Sequence, residues 1–201
     1  MEQIPSTASD VGARRLAAGL LLVGFLLLIP AVLINAPGFG ATSQWGSAFP
    51  FLFERVAQLY WSAIFVVVTL YGLVILDGIL RRAGEEIFSR LGLISFTLAT
   101  ASWLLLIVLD TNELPGGRDA ERYFILLAFP AIIAFGIALL RAHIVARWVG
   151  IVAVLLATVA FLRVLPQSQG PLFYEPAVLL IAGALLFPPP SRQGAHAGGD
   201  G

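Results

Sequence analysis

The sequence VAQLYWSAIFVVVTLYGLVIL, residues 56–76, runs for twenty-one residues without a charged side chain. At a rise of about 1.5 Å per residue, a helix of this length matches the roughly 30 Å hydrocarbon core of a bilayer. Backbone polar groups have no water partners in lipid, so a stretch of this kind predicts a membrane-spanning helix. The fold class therefore follows from how many such stretches the chain contains.

Apolar stretches of this kind recur along the whole chain. They predict spans at about residues 16–36, 56–80, 91–110, 123–141, 147–165 and 172–187. The last is the shortest and contains Glu175, so it would cross a bilayer only with local thinning. Pro176 follows the glutamate and suits the first turn of a helix. We expect an all-α bundle of six transmembrane helices in one domain, residues 1–190, and a disordered tail at residues 191–201.

Composition supports a membrane location. Hydrophobic residues make up 59% of the chain, and the mean hydropathy is +0.92. Soluble domains contain only about 45–50% apolar residues. The formal net charge is zero, which gives no support for nucleic-acid binding because that depends on clustered basic residues. The lipid bilayer is therefore the expected environment and partner.

The first span permits two interpretations. Arg14 and Arg15 precede it, as basic residues precede the apolar core of a secretory signal peptide. The apolar run that follows is longer than the roughly 7–15 residues of such a core. We favour a retained membrane helix, with a cleaved signal peptide as the alternative.

Orientation follows from the arginines in the loops, which are enriched on the cytoplasmic side of membrane proteins. If the N-terminus is cytoplasmic, eight arginines face the cytoplasm and four face outward. The eight are Arg14, Arg15, Arg81, Arg82, Arg90, Arg141, Arg147 and Arg192, and the four are Arg55, Arg118, Arg122 and Arg163. We expect a multi-pass protein of the cell membrane with both termini in the cytoplasm.

Ionisable and polar residues from several spans are predicted to meet at the outer end of the bundle. This candidate polar pocket consists of Glu54, Gln58, Asp110, Arg163 and Glu175. Charged groups at membrane depth are costly enough to require a partner or a water-filled cavity. The alternative is structural: Arg163 extends to the headgroups, Asp110 ends the third span and Glu175 begins the sixth.

Three spans carry faces of polar or small residues. Ser62, Thr69 and Gly72 continue the face of Glu54 and Gln58 on span two. Span three has a similar face at Ser95, Ala99 and Ser102, and span five has one at Gly150, Ala153, Ala157 and Ala160. Such faces allow close helix packing, within the bundle or against another protein, and a ligand vestibule is the alternative. Asp77 precedes Arg81 by four residues, which predicts an ion pair within one helix.

Several membrane chemistries lack their residues in this sequence. There is no cysteine and no lysine, which excludes thiolate ligands and a retinal Schiff base. His143 lies in a loop and His196 in the tail, so a haem between two histidines is not supported. The motifs HExxH, Gly-x-Ser-x-Gly and GxxxxGK[ST] are absent. We therefore expect no cofactor, no metal site and no enzymatic activity.

The turn between spans four and five carries a resemblance. Gly136-x-x-Leu139-Leu140-Arg141, followed by Arg147-Trp148-x-Gly150, resembles a pattern in uncharacterised bacterial six-span membrane proteins grouped as a domain of unknown function. Members of that family often have proline before the arginine–tryptophan pair, where this chain has Val145-Ala146. The resemblance implies a small six-helix bundle and carries over no catalytic residue.

These observations leave three functional hypotheses. The first is a non-enzymatic integral membrane protein, either an accessory or scaffold subunit of a membrane protein partner or a sensor of a ligand. The alternative is a small transporter or channel, oligomeric and built around the outward-facing polar pocket. The third is a lipid-acting enzyme, which would require the pocket carboxylates to converge on a substrate.

Overall fold

The structure, a computed structural model, describes the backbone of residues 8–34, 55–165 and 174–187 and the side chains of residues 10–28, 61–165 and 174–187. Its helices are α1 Ala8–Ile34, α2 Arg55–Arg82, α3 Ile87–Thr111, α4 Gly117–Ala142, α5 Arg147–Val164 and α6 Glu175–Leu186. These described ranges contain no strand, so the predicted all-α class is confirmed. Five helices are long and apolar enough to cross a membrane, whereas α6 is shorter.

Charged residues at the helix ends extend the helices beyond the apolar stretches. Asp10 lies in the first turn of α1 and Asp119 in the first turn of α4, where a carboxylate is favoured by the partial positive charge of the helix start. Arg81 and Arg82 occupy the last turn of α2, where a cation is favoured. These residues explain why α1 and α4 begin before the apolar stretches do.

The helices form a closed ring. Each helix packs against its neighbours in the chain, and α6 closes the ring by packing against both α5 and α1. Helix α4 is the most buried of the five long helices, and α1 and α5 are the most exposed. We call the end that carries the loops 83–86 and 143–146 the arginine-rich end, and the end that carries the loop 112–116 the opposite end.

Helices α4 and α5 approach each other at two glycines. A Cβ atom added to Gly150 would lie 2.6 Å from Cγ of Leu140 and 2.8 Å from the carbonyl oxygen of Gly136. A Cβ atom on Gly136 would lie 2.7 Å from Cγ2 of Val154. Ala153 and Ala157 on the same face of α5 are fully buried. Three of the four residues in the small-residue face of α5 are thus buried within the bundle, and the fourth, Ala160, is partly buried against its core.

The outer surface of α5 is apolar. Large side chains on this surface are exposed: Trp148, Ile151, Leu155, Val159 and Leu162. A stripe of this length would be unfavourable in water, but it is the expected surface of a helix that contacts lipid. The exposed and buried faces of α5 therefore agree with a helical membrane bundle.

Candidate functional site

The residues of the predicted polar pocket have different environments. Glu54 lies outside the described residues, and so does the side chain of Gln58, whose backbone belongs to α2. Asp110 is partly buried in the last turn of α3, and Arg163 is exposed in the last turn of α5. Glu175 is 1% exposed. None of the ion pairs between described side chains involves Arg163 or Glu175, so convergence of the five residues stays a prediction.

Glu175 is an ionisable side chain buried without a partner. Neither of its carboxylate oxygens has a hydrogen-bond partner among the described residues. The hydroxyl of the preceding residue, Tyr174, is also buried and lies near the Glu175 carboxylate, but it has no hydrogen-bond partner of acceptable geometry within the same ranges. Burying such groups without hydrogen bonds costs free energy, and the cost is greatest for a charged carboxylate. Two consecutive residues of this kind form the strongest candidate site in the described part of the chain.

Aromatic rings surround Tyr174. Its ring centroid lies 5.9 Å from that of Phe96 on α3, and 6.1 Å and 5.8 Å from those of Phe124 and Phe129 on α4. Trp103 packs against Phe124 with a centroid distance of 4.7 Å. We call Phe96, Trp103, Phe124, Phe129 and Tyr174 the aromatic cluster. Through the aromatic cluster, the beginning of α6 contacts α3 and α4 across the ring of helices.

The aromatic cluster also gives the depth of Glu175 in the bundle. Phe124 and Phe129 lie about 10 and 18 Å from the first residue of α4, at about 1.5 Å per residue. Because Tyr174 contacts both rings, α6 begins inside the bundle and not at the level where α4 begins. Its twelve residues give it a length of about 18 Å, roughly three fifths of the hydrocarbon core. The start of α6 therefore lies beside the first third of the apolar stretch of α4, with an acidic side chain inside the bundle.

Local sequence explains why α6 begins at this point. Pro176 lies in the first turn, where its missing N–H is not needed and its fixed φ suits a helix. Glu175 is the acidic residue of that turn, and Tyr174 is the N-cap residue but makes no capping hydrogen bond through its side chain. Tyr174-Glu175-Pro176 thus both starts the helix and buries its two polar side chains.

Other polar residues in the middle of the bundle have structural roles. Nε1 of Trp103 donates a hydrogen bond of 2.9 Å to Oγ of Ser62, which joins α3 to α2. Thr69 is fully buried against Gly24 of α1, and its hydroxyl also has no hydrogen-bond partner among the described residues. Ser62, Thr69 and Gly72 are all buried, in agreement with the inward-facing polar face predicted for span two. Their contacts favour helix packing over a ligand vestibule at this level.

The arginine-rich end is tied together by polar contacts between helices. Ser89 on α3 donates a hydrogen bond to the buried carboxylate of Asp77 on α2. Nε of Arg141 on α4 lies 2.9 Å from Oε2 of Glu85, whose Oε1 accepts a 3.1 Å hydrogen bond from the backbone N–H of Phe88. We call this set of contacts the end clasp.

Helix α1 also joins the end clasp. The guanidinium of Arg82 on α2 lies 3.3 Å from the carboxylate of Asp10, and Arg14 donates a 3.4 Å hydrogen bond to the carbonyl oxygen of Ile144. The predicted ion pair between Asp77 and Arg81 is present at 3.9 Å, although Ser89 is the closer partner of Asp77. The clasp therefore connects α1, α2, α3 and α4 at the arginine-rich end.

Within the described ranges, no group of three or more histidine, aspartate and glutamate side chains could hold a metal ion. Glu175 and Tyr174 offer one carboxylate and one phenol, and aromatic rings surround Tyr174. Such a pair can bind and release a proton, or contribute ligands to a small cation.

Comparison of the chain with protein-family models, with curated proteins and with solved structures finds no match. The resemblance in the turn between α4 and α5 therefore stays a prediction. The two glycines of that pattern, Gly136 and Gly150, contact each other in the structure, which gives them a packing role independent of any family. The chemistry of the site rests on its own geometry.

Proposed function

We propose that this chain is a non-enzymatic integral membrane protein that acts as a sensor, either alone or as an accessory subunit, and responds to a proton or small cation at Glu175. One observation carries the proposal: an acidic side chain is buried without a hydrogen-bond partner at the start of a short helix inside the bundle. Ionisable residues at membrane depth are costly and are typical of proton and ion sites.

Energetic comparison with the other buried acids supports this choice. Asp77 and Glu85 are also buried, but each has a hydrogen-bond donor and an arginine nearby. Those two residues stabilise the contacts between helices. Glu175 has no arginine and no hydrogen-bond donor of acceptable geometry among the described residues, and the polar group beside it is the neutral hydroxyl of Tyr174. An acidic side chain at this position is therefore better explained by binding than by packing.

The membrane and the orientation belong to the same proposal. We propose a location in the cell membrane with both termini in the cytoplasm, because the arginine-rich end would then face the cytoplasm. The end clasp would lie on the cytoplasmic side, and α6 would begin closer to the outer surface. The apolar outer surface of α5 would contact lipid, a membrane protein partner or a second copy of the chain.

A small transporter is the second candidate function, and the end clasp favours it. The ion pairs Arg82–Asp10 and Arg141–Glu85 both lie at the arginine-rich end. If this end closes the path to the cytoplasm, an ion at Glu175 would exchange with the outside first. Breaking the clasp would then be required for release inside, as in alternating access.

Hydrogen exchange in lipid nanodiscs tests the proposed function. We expect exchange in the peptides of α6 to change between mildly acidic and mildly alkaline pH, after correction for the intrinsic pH dependence of exchange. Glu175→Gln should abolish this change, because the amide cannot ionise. Asp119→Asn, at an exposed acid in the first turn of α4, is the matched control and should respond like the wild type.

Dye-loaded liposomes then separate the two candidates. A sensor leaves an imposed pH or sodium gradient intact, whereas a transporter dissipates it in a manner that requires Glu175. If Glu175→Gln matches the wild type in both exchange and flux, Glu175 has no functional role and the proposal is wrong.

A further inference from the structure

We infer that the ligand of this site is the proton, and that the structure shows the protonated state, in which Glu175 is a neutral carboxylic acid seated in the bundle. This inference rests on the proposed function and specifies its ligand. Its basis is geometric: the two carboxylate oxygens are enclosed, and no described side chain supplies a counter-charge. A negative charge in that position would be desolvated, with only the partial positive charge of the helix start to offset the cost.

The helices around the site carry charged groups, but none of these groups is bonded to Glu175. Helix α6 packs against α1 and α5, and Tyr174 extends its contacts to α3 and α4. The charged residues described on these helices are Asp10, Arg14 and Arg15 on α1, Arg90 and Asp110 on α3, Arg118, Asp119, Glu121, Arg122 and Arg141 on α4, and Arg147 and Arg163 on α5. None of them forms a hydrogen bond or an ion pair with the oxygens of Glu175.

A metal cation fits this environment less well than a proton. Calcium requires about six to eight oxygen ligands, and magnesium requires near-octahedral oxygen coordination. The rings of Phe96, Phe124 and Phe129, which surround Tyr174, bring no oxygen atoms. A proton needs only the carboxylate itself.

Loss of the proton has a structural consequence for α6. An ionised Glu175 must gain water or a cationic partner, and the packed cluster beside it provides neither. Helix α6 is the shortest of the six, and it is held by apolar contacts to α1 and α5. We therefore expect the beginning of α6 to move when Glu175 ionises, which changes the packing of Tyr174 against α3 and α4. This movement is the response that the sensor transmits.

Infrared spectroscopy of the full-length protein in lipid tests the inference. A protonated carboxylic acid has a C=O stretching band that is separate from the carboxylate bands and shifts in D₂O. We expect this band in the wild type at neutral pH, its decrease as the pH rises, and its loss in Glu175→Gln. Asp77→Asn and Glu85→Gln are matched controls at buried but partnered acids, and both should keep the band.

Glu175→Asp is the control for loss of the band through misfolding of Glu175→Gln. This variant keeps a carboxylic acid, so it should shift the band without removing it. Absence of the band in the folded wild type, or its persistence in Glu175→Gln, would overturn the inference. The result is separable from the proposed function. If Glu175 is ionised but still controls hydrogen exchange in α6, the sensor hypothesis stands with a cation other than the proton as its ligand. If Glu175 is protonated but α6 shows no response to pH, the sensor hypothesis is contradicted.

Discussion

Replacing Glu175 with methionine is expected to stabilise the protein while it abolishes the response of α6 to pH. Methionine has a similar length and no polar atom that needs a hydrogen bond. Removal of a buried group without a partner should raise the free energy of unfolding by about 1 to 3 kcal/mol. The measurement is equilibrium unfolding in mixed micelles, with hydrogen exchange in nanodiscs as the test of response.

Glu85→Met provides the control of opposite sign. Glu85 is buried too, but it pairs with Arg141 and accepts the N–H of Phe88. Its replacement should destabilise the protein by about 1 kcal/mol, because partnered groups are lost. If Glu175→Met destabilises the fold as Glu85→Met does, then Glu175 has a stabilising partner and the site has a structural role.

Substitution of Gly150 by leucine is expected to have the largest effect on folding. The first added carbon alone would lie 2.8 Å from the carbonyl oxygen of Gly136, which belongs to the backbone and cannot move aside within a helix. Helices α4 and α5 would have to separate, at a cost of about 3 kcal/mol or more. Unfolding in mixed micelles measures the loss, and the yield of folded protein gives an independent readout.

Gly19→Leu in α1 is the matched control for this substitution. A Cβ on Gly19 meets no atom within 4 Å, so leucine there should leave stability unchanged or raise it slightly. Equal behaviour of the two variants would show that α4 and α5 do not pack at Gly136 and Gly150. That outcome would contradict the ring arrangement, since α5 joins α4 to α6.

The sequence was sufficient to predict the helical class because the long apolar runs are separated by short segments that contain charged residues. The sixth segment was harder. The sixteen residues 172–187 predicted a short span that would cross the bilayer only with local thinning. Helix α6 instead contains twelve residues and begins inside the bundle. Glu175-Pro176 indicated where the helix would begin, but only the contacts of Tyr174 show the depth of that point.

Whether a residue of α5 faces the bundle interior or the outer surface depends on the rotation of the helix about its own axis. The sequence of α5 does not specify this rotation. That helix is apolar on all sides, and only its small residues distinguish a packing face. Because Gly150, Ala153 and Ala157 face inward, Arg163 is exposed. Tyr174 was missed because an aromatic residue beside an apolar run usually indicates packing, and its unpartnered hydroxyl is visible only in the folded bundle.

An ionisable side chain, that of Glu175, lies enclosed in the interior of the bundle at the start of α6. The chain has no cysteine, so a single thiol can be placed by Glu175→Cys, with exposed positions Thr111→Cys and Ala83→Cys as controls for the two ends. Labelling with a membrane-impermeant maleimide in intact cells and in inverted vesicles is the most direct measurement.

We predict that the thiol at position 175 stays unlabelled from both sides and reacts only after denaturation, because the native residue is 1% exposed. The thiol at position 111 should react from outside and the thiol at position 83 from the cytoplasmic side. Labelling at position 175 as fast as at an exposed control would place this side chain in water, and the buried site would be wrong.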